Sequence, residues 1–384
     1  MAKQTFTSGQ VLTASQMNTL QTNDYNMTVT TGTASYTLQA SDVGQRRVQN
    51  MGSAGTVTVP NNVFSAGDAL WLHSIGSGVQ TLAAGTGLTL NSSAGTAPTL
   101  AQWEGGVVYF TSASAAIFFR GGSKSTLSVE FLLVGGGGAG AGGVFYGGGG
   151  GGGGFVTGSG IIGKTTYTVK VGAGGAGKSA DTQGNNGNAS SFIGSANGGG
   201  GGGNPNTGGT GGSAGGSGRG ITATSSGLSG EGNNGGASSG DGNDAGGGGG
   251  AGGNGGTGGG NAGGAGGAAS TNNYTGTSIS YSGGGGGWGA NFGGTGGTNA
   301  GNGGRNASDG TAGTANRGGG GGAGGGGGGA STAGKNGGSG RVVVRWLTAD
   351  ASGLSISVTG TTTNGTDGSY TWYAWDSTGT LVVA

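Results

Sequence analysis

The central part of the chain repeats one short pattern three times: Gly208-Gly209-Thr210-Gly211-Gly212-Ser213, with near copies at 252–257 and 293–298. Uninterrupted glycine runs accompany these repeats at 147–154, 198–203, 246–250, 283–287 and 324–329. Of the 113 glycines, 93 lie between residues 135 and 340. A strict Gly-X-Y period with proline is missing from the sequence, which excludes a collagen helix.

A three-residue period suits the extended left-handed helix of the polyproline II type, which has three residues per turn. Such a helix pairs none of its own backbone groups, and buried ones need partners. Because glycine lacks a Cβ atom, neighbouring helices can approach until their N–H and C=O groups bond laterally. At roughly 1 kcal/mol net per bond, dense bonding can offset the entropic cost of ordering glycine. We therefore predict packed polyglycine II-type helices over 135–340, within a glycine-rich domain that spans 123–347; the alternative is a flexible, low-complexity linker.

Two β segments flank this stretch. Residues 31–122 contain short strand-like pieces, such as Thr56-Val57-Thr58-Val59, that alternate apolar and polar side chains between turn residues. This alternation gives each strand one buried face, and we predict a small β sandwich or barrel. Residues 348–384 return to the same composition and predict a small C-terminal β element. The fold class expected for the chain is therefore all-β with a glycine-rich domain.

The first 30 residues predict one short helix. Thr13 and Gln16 have the spacing of a capping box. The apolar stripe that follows, Met17 and Leu20, is too narrow to stabilise a lone helix of this length. We expect residues 1–30 to serve in attachment or trimerisation; the alternative is a capped helix that packs on its own domain.

Composition excludes several classes of protein. Charged residues make up 7% of the chain, against roughly 25% in typical soluble domains, and the net charge is +1. This charge balance gives no indication of a nucleic-acid partner or an acidic membrane surface. The sequence has no cysteine, so a disulfide framework and a thiolate metal site are excluded. The start, Met1-Ala2-Lys3-Gln4-Thr5-Phe6, lacks the apolar core of a secretion signal, and the apolar runs are too short to insert in a membrane.

The order of motifs in the first third resembles a β module that recurs in phage tail-fibre proteins. The matching pieces are 36–38, 41–44, 56–60, 79–85, 87–92 and 118–122. The opening Phe6-Thr7-Ser8-Gly9-Gln10 is similar to the start of many such proteins. This resemblance, together with the short helix, implies a fibrous trimer that attaches through its N-terminus to other tail or baseplate proteins.

The glycine-rich stretch resembles the glycine-rich domain common among phage tail proteins. The resemblance rests on Leu133-Val134 leading into glycine, on Tyr167-Thr168-Val169-Lys170-Val171, and on the closing Arg341-Val342-Val343-Val344. The stretch also looks like the polyglycine sandwich in distal adhesins of some T-even-like phages. That resemblance implies that loops at the ends of packed glycine helices carry receptor specificity.

One motif imitates a nucleotide site. Residues 172–179 satisfy G-x-x-x-x-G-K-S, the loop that cradles phosphate. The mechanism needs a helix directly after the loop, and Ala180-Asp181-Thr182-Gln183-Gly184 will not form one. His73, the only histidine, has no cluster of ligands around it in sequence. We therefore predict no catalytic, metal or cofactor site and no enzyme activity, with a glycosidase-like carboxylate pair as the minor alternative.

Receptor contacts are assigned to aromatic side chains that interrupt the glycine runs, because rigid aromatics offer large contact area at low entropic cost. These candidates are Tyr274, Tyr281, Trp288, Phe292, Phe145 and Tyr146. The alternative is that they fill gaps at the lattice edge or between subunits.

The sequence thus predicts a structural bacteriophage protein, a tail fibre or spike made in the host cytoplasm, whose glycine-rich domain binds a host glycan or outer-surface protein. A head fibre or tail decoration with a purely structural role is the second hypothesis. An ice-binding protein built on polyglycine helices ranks third, because the chain lacks cysteine and a regular threonine ladder.

Overall fold

A computed structural model describes residues 13–14, 28–92, 97–121, 126–144, 146–326, 331–351 and 353–384. The chain divides into two compact units, Met1–Ser125 and Thr126–Ala384. Within the described part beyond residue 28 the chain is mostly β, and its helical elements are two 3-10 turns, Ala40–Asp42 and Thr348–Ala351. The predicted β class is confirmed at that level, whereas the predicted N-terminal helix and nearly all of segment 1–30 lie outside the described residues. None of the described helices is long and apolar enough to cross a membrane.

The described residues of the first unit form ten strands. They are β1 (Val29–Gly32), β2 (Tyr36–Thr37), β3 (Arg46–Gln49), β4 (Gly55–Val59), β5 (Ala69–Ser74), β6 (Gln80–Ala84), β7 (Thr89–Ser92), β8 (Thr99–Leu100), β9 (Gly105–Ser112) and β10 (Ala115–Arg120). One sheet has the order β1-β3-β5-β9-β10-β7 and the other the order β2-β4-β6-β8. From β1 to β8 the chain alternates between the two sheets, and β1, β3 and β5 pair in parallel, as do β2, β4 and β6.

Residues 36–118 therefore form a β-solenoid, and the expected sandwich or barrel is corrected to this architecture. Apolar alternation gives each strand one buried face. It does not determine whether the next strand pairs beside it or crosses to the facing sheet. The core between the sheets includes Leu38, Val57 and Leu82 on one side and Leu72 and Phe110 on the other. Burial of each such side chain contributes roughly 1.5–3 kcal/mol, which ties the two sheets together.

Twelve further strands lie in the part of the second unit that the structure describes. They are β11 (Thr126–Val134), β12 (Phe155–Gly163), β13 (Thr166–Val169), β14 (Ser190–Ser191), β15 (Ser195–Ala196), β16 (Ser270–Asn272), β17 (Ile279–Tyr281), β18 (Arg341–Leu347), β19 (Ile356–Thr359), β20 (Thr362–Asp367), β21 (Tyr370–Trp375) and β22 (Gly379–Val383). Antiparallel pairing builds a five-stranded sheet, β12-β11-β18-β21-β20, and a three-stranded sheet, β13-β22-β19. The C-terminal strands thus belong to both sheets: β20 and β21 pair in the sheet that contains β11, β12 and β18, and β19 and β22 pair in the sheet that contains β13.

Strand β11 is buried on both of its faces at its C-terminal end. Leu127, Val129 and Leu133 pack into a core that includes the three-stranded sheet. Leu132 and Val134 point to the opposite face, where a second core includes residues of the β16–β17 hairpin. The five-stranded sheet is thus covered on both sides, which fits the continuous apolar run that ends β11.

Glycine segments leave the sheets between β11 and β12 and between β13 and β18. The segment 148–154 shows how they pair. Its N–H groups bond with a period of three residues: Gly148, Gly151 and Gly154 donate to carbonyls within 197–203, Gly149 and Gly152 to 246–249, and Gly150 and Gly153 to 318–321. Its carbonyls accept from 135–141, from 213–216 and from Gly285. The segment therefore bonds to six neighbouring segments, at N···O distances of 2.7–3.1 Å for the donated bonds.

Close approach of these backbones explains the composition. A Cβ atom built on Gly138 would overlap the carbonyl oxygen of Gly200, and one built on Gly150 would overlap that of Gly138. The same holds at Gly285, where the obstacle is the Gly321 oxygen. Backbone on every side leaves no room for a side chain, so the interior of this glycine body admits glycine at these positions.

Candidate functional site

Chain reversals of the glycine body collect at the end that lies opposite the sheets. Segment 135–141 rises from β11, and 148–154 returns to β12, with the Ala141 N–H bonded to Gly148 near the turn. Because 197–203 runs antiparallel to 148–154, its far end, Gly203, lies beside Gly148. The same hydrogen-bond registers place further turns at that end, and we call them the distal loops. They are 142–147, 178–183, 203–208, 218–222, 238–244, 258–262, 288–293, 304–309 and 325–332, as far as each is described.

The distal loops contact one another directly. The Asn204 amide donates to Gly142 O at 2.7 Å, and Arg219 N donates to Tyr146 O at 3.1 Å. Ala290 N donates to Asn243 O at 3.1 Å, and Asn291 N to Asn261 O at 2.9 Å. These bonds hold the loops in fixed positions, so they form one continuous surface on a rigid support.

An aromatic stack lies beneath that surface. The rings of Tyr146 and Trp288 are parallel, with centroids 3.7 Å apart. The guanidinium carbon of Arg219 lies 4.7 Å from the centre of the Tyr146 ring. The indole N–H of Trp288 donates to Asn306 O at 3.0 Å. Trp288 is 1% exposed, so it joins three distal loops from the inside and is closed to a ligand.

Two of the six residues predicted to contact a receptor are therefore buried in the core. Tyr281 is 1% exposed and packs with Leu132 and Val134 near Phe155, while Trp288 is buried as described above. Both rings fill gaps beside the glycine segments. Large apolar rings gain more from burial than the adjacent glycines can, because glycine offers no side chain to pack.

Three further candidates have different surroundings. Tyr274 is half-buried at the sheet end of the body, where the guanidinium carbon of Arg345 lies 4.0 Å from its ring centre. Burial, followed by the charge of Glu130, raises the pKa of Tyr274 above its ordinary value. Tyr146 is half-buried in the stack with Trp288, and Phe145 lies outside the described residues.

Phe292 is the predicted contact that the structure leaves open. Its side chain is 64% exposed on a distal loop. It borders a groove of about 340 Å³ that Thr295, Asn302, Arg305 and Asp309 also line. Asp309 accepts a hydrogen bond from the Lys335 ammonium at 2.7 Å, and this bond holds the pKa of that carboxyl below its ordinary value. The groove thus offers one exposed ring, one exposed guanidinium and several hydrogen-bonding groups.

Sequence reasoning missed the two arginines on this surface. Arg219 and Arg305 are the basic residues between positions 184 and 316, and both lie on distal loops. Their isolation in an almost uncharged stretch could have indicated from the sequence that they lie on the surface. Since charge is otherwise sparse there, an arginine that recurs only at chain reversals indicates surface chemistry and not packing.

The residues of the motif that imitates a phosphate loop pair with neighbouring glycine segments. Residues 172–178 form neither a helix nor a strand, and no helix follows them in the described stretch 179–196. Their amides are already engaged: Gly175 N donates to Gly137 O at 2.8 Å, and Gly177 N to the Asn336 side chain at 2.7 Å. Among the described residues, no group of three or more His, Cys, Asp or Glu side chains could hold a metal ion.

Comparison with known proteins identifies the central domain. No curated protein and no solved structure matches the chain. A family model described as a glycine-rich domain matches residues 123–347, which is more than half of the chain. The prediction of a glycine-rich domain over these residues is therefore confirmed, and the chain belongs to the glycine-rich domain family.

Proposed function

We propose that this chain is a structural protein of a bacteriophage particle, a tail fibre or spike that binds the host surface through its distal loops. The observation that carries the proposal is Phe292, exposed beside Arg305 on loops that a dense backbone network holds in place. An aromatic ring next to a guanidinium on a rigid frame is typical of binding hot spots. The ligand would be a host glycan or an outer-surface protein.

The rest of the proposal follows from the resemblances. The glycine segments would form a lattice of the polyglycine II type, for which the three-residue period of hydrogen bonds gives support. The N-terminal segment would attach the protein to other tail or baseplate proteins, and the assembly would be a homotrimer in the virion. In this role the chain binds without catalysing a reaction.

Adsorption competition tests the proposal. Purified full-length protein is incubated with host cells, and the fraction of phage that then binds is counted. We expect blocking below about 1 µM, and Phe292→Ala to need at least about tenfold more protein for the same effect. Leu228→Ala is the matched control, because Leu228 is an exposed apolar side chain on a turn at the sheet end of the same body.

A second function, head fibre or tail decoration without a receptor, predicts a different result. Folded trimer would then fail to block adsorption, and Phe292→Ala would behave as the wild type. Replacement of 269–292 as a whole is a poorer test, since it removes the buried Tyr281 and Trp288 and would unfold the body.

A further inference from the structure

The first unit presents a tryptophan in a conformation that tryptophan rarely adopts. Trp103 lies on the turn between β8 and β9 with a φ of 68°. Its side chain is 77% exposed. The left-handed region is costly for a residue with a Cβ atom, and such strain persists where the surroundings fix it, often at ligand-binding sites.

The surroundings of Trp103 fix its backbone firmly. Its N–H donates to Ser74 O at 2.7 Å, and the Gln102 side chain donates to Ile75 O at 3.0 Å. The Glu104 carboxylate accepts from Ala101 N at 2.8 Å and also pairs with Arg120. The hydrogen bonds of the loop therefore hold the indole outward.

A groove opens beside this ring on the outer face of the six-stranded sheet. Its volume is about 210 Å³, and it is lined by Arg46, Val48, His73, Ser74, Ile75, Trp103 and Glu104. Val48 pairs with His73 across β3 and β5, and His73 pairs with Gly105 across β5 and β9. The absence of a side chain at Gly105 makes room for the His73 ring, because a Cβ atom built there would overlap His73 Nδ1.

The unpaired charge in this groove is positive. Arg46 is exposed and forms no ion pair with any residue that the structure describes. Glu104 is neutralised by Arg120. Burial, and then the charge of Arg46, lowers the pKa of His73, which leaves its ring neutral at neutral pH and able to form hydrogen bonds.

We propose that this groove binds one sugar residue of an acidic polysaccharide, with the Trp103 ring stacked on the sugar face and the Arg46 guanidinium paired with its carboxylate. The flat, exposed indole suits the C–H face of a pyranose, and the lone guanidinium suits a carboxylate. The groove is smaller than the roughly 300–1,000 Å³ of pockets that bury a drug-sized molecule, which suits one unit of a longer chain. This proposal is independent of receptor binding by the distal loops.

Calorimetric titration of the full-length protein tests this site, with trigalacturonate as the acidic probe and maltotriose as the neutral one. We expect trigalacturonate to bind at least about tenfold more tightly than maltotriose, and Trp103→Ala and Arg46→Gln each to weaken it by about tenfold or more. Raising NaCl from about 50 to 500 mM should weaken the binding of trigalacturonate, because salt screens the charge of Arg46. The loss of affinity caused by Trp103→Ala should stay the same at both salt concentrations. Ile161→Ala, a comparably exposed apolar side chain in the second unit, serves as the control and should bind as the wild type.

Several results would overturn the proposal. Equal affinity for the two trisaccharides would remove the role of Arg46, and unchanged binding by Trp103→Ala would remove that of the indole. Absence of trigalacturonate binding by the wild-type protein would reject the site. The variants are compared with the wild type at equal unfolding temperature, so that a loss of binding is not a loss of folding. Sedimentation that shows self-association lost in Trp103→Ala would instead assign the groove to a second copy of the chain.

Discussion

Gly150 lies at the centre of the glycine body, and a single methyl group added there meets backbone. The N–H of Gly150 donates to Gly321 O, its carbonyl accepts from Gly285 N, and its Cα faces Gly138 O. A side chain in the way could rotate aside, but these backbone groups are held by their own hydrogen bonds. We expect Gly150→Ala to lower the free energy of unfolding by about 3 kcal/mol or more, measured by urea denaturation.

Gly259 provides the matched control. It is a glycine of a distal loop, and a Cβ atom there would meet nothing within 4 Å. Gly259→Ala should therefore leave the free energy of unfolding unchanged or raise it by about 0.4–1 kcal/mol, because the unfolded chain loses freedom. Equal destabilisation by both substitutions would contradict the close packing described for the interior.

Trp103 allows a prediction about stability that is separate from its proposed ligand. Since the φ of 68° strains any residue with a Cβ atom, Trp103→Gly should raise the free energy of unfolding by about 1 kcal/mol. Trp103→Ala keeps the Cβ atom and the strain, so it should change stability by less than about 0.5 kcal/mol. Thermal unfolding of the two variants measures this difference in stability. A glycine variant no more stable than the alanine variant would show that the backbone at position 103 is not strained.

At the scale of elements, the hairpin formed by β16 and β17 is clamped to the five-stranded sheet. Arg345 of β18 lies between the rings of Tyr274 and Tyr370, 4.0 and 4.2 Å from their centres. Its guanidinium also pairs with Glu130 of β11 at 2.7 Å. One arginine thus joins three strands of the sheet, β11, β18 and β21, to the loop of the hairpin, through an ion pair and two cation–π contacts.

This clamp should weaken in alkaline solution. The pKa of Tyr274 is raised in the folded protein, first by burial and then by Glu130, so the folded state holds the phenolic proton more tightly than the unfolded chain. The stabilisation is therefore complete below the unfolded pKa of about 10 and is lost as the pH rises through the folded value. Urea midpoints measured between about pH 9 and 11 should fall less steeply in Tyr274→Phe than in the wild type. Parallel slopes would show that this phenol does not contribute.

Strands β11 and β18 were the elements most readable from sequence. Strand β11 ends in four consecutive apolar residues, Phe131–Val134, all of which are buried. Such a run is typical of a strand covered on both faces. Several strands of the first unit, such as β4, were also expected, but their pairing was not. A two-residue strand such as β2 carries too little pattern to specify a parallel partner, so the solenoid could not be told from a sandwich.

At the scale of the whole molecule, the second unit depends on backbone bonding to an unusual extent. The segment 148–154 reaches six neighbours that come from widely separated parts of the sequence. Ordering glycine is entropically costly, and an isolated segment has no internal bonds to offset that cost. The body therefore gains stability only when many segments assemble, and we expect it to fold and unfold as a cooperative unit.

Native-state hydrogen exchange tests this cooperativity. The amides of 149–153 should exchange together and among the slowest of the second unit, with a free energy close to that of global unfolding. The amides of the exposed loop 241–243 should exchange much faster. Rapid exchange throughout 149–153 would support the flexible-linker interpretation of the glycine-rich stretch.

The sequence by itself determined that the chain is mostly β, that its central stretch is a glycine-rich domain and that its G-x-x-x-x-G-K-S motif lacks the helix that binding phosphate requires. These properties are local, because they depend on alternation, composition and turn residues. Only the tertiary structure decided which glycine segments are neighbours, which turns share the distal end, and that Tyr281 and Trp288 are buried while Phe292 is exposed. The physical reason is that one glycine N–H is chemically like another. Their pairing is therefore set by the assembled lattice and its few side chains, and not by any local stretch of sequence.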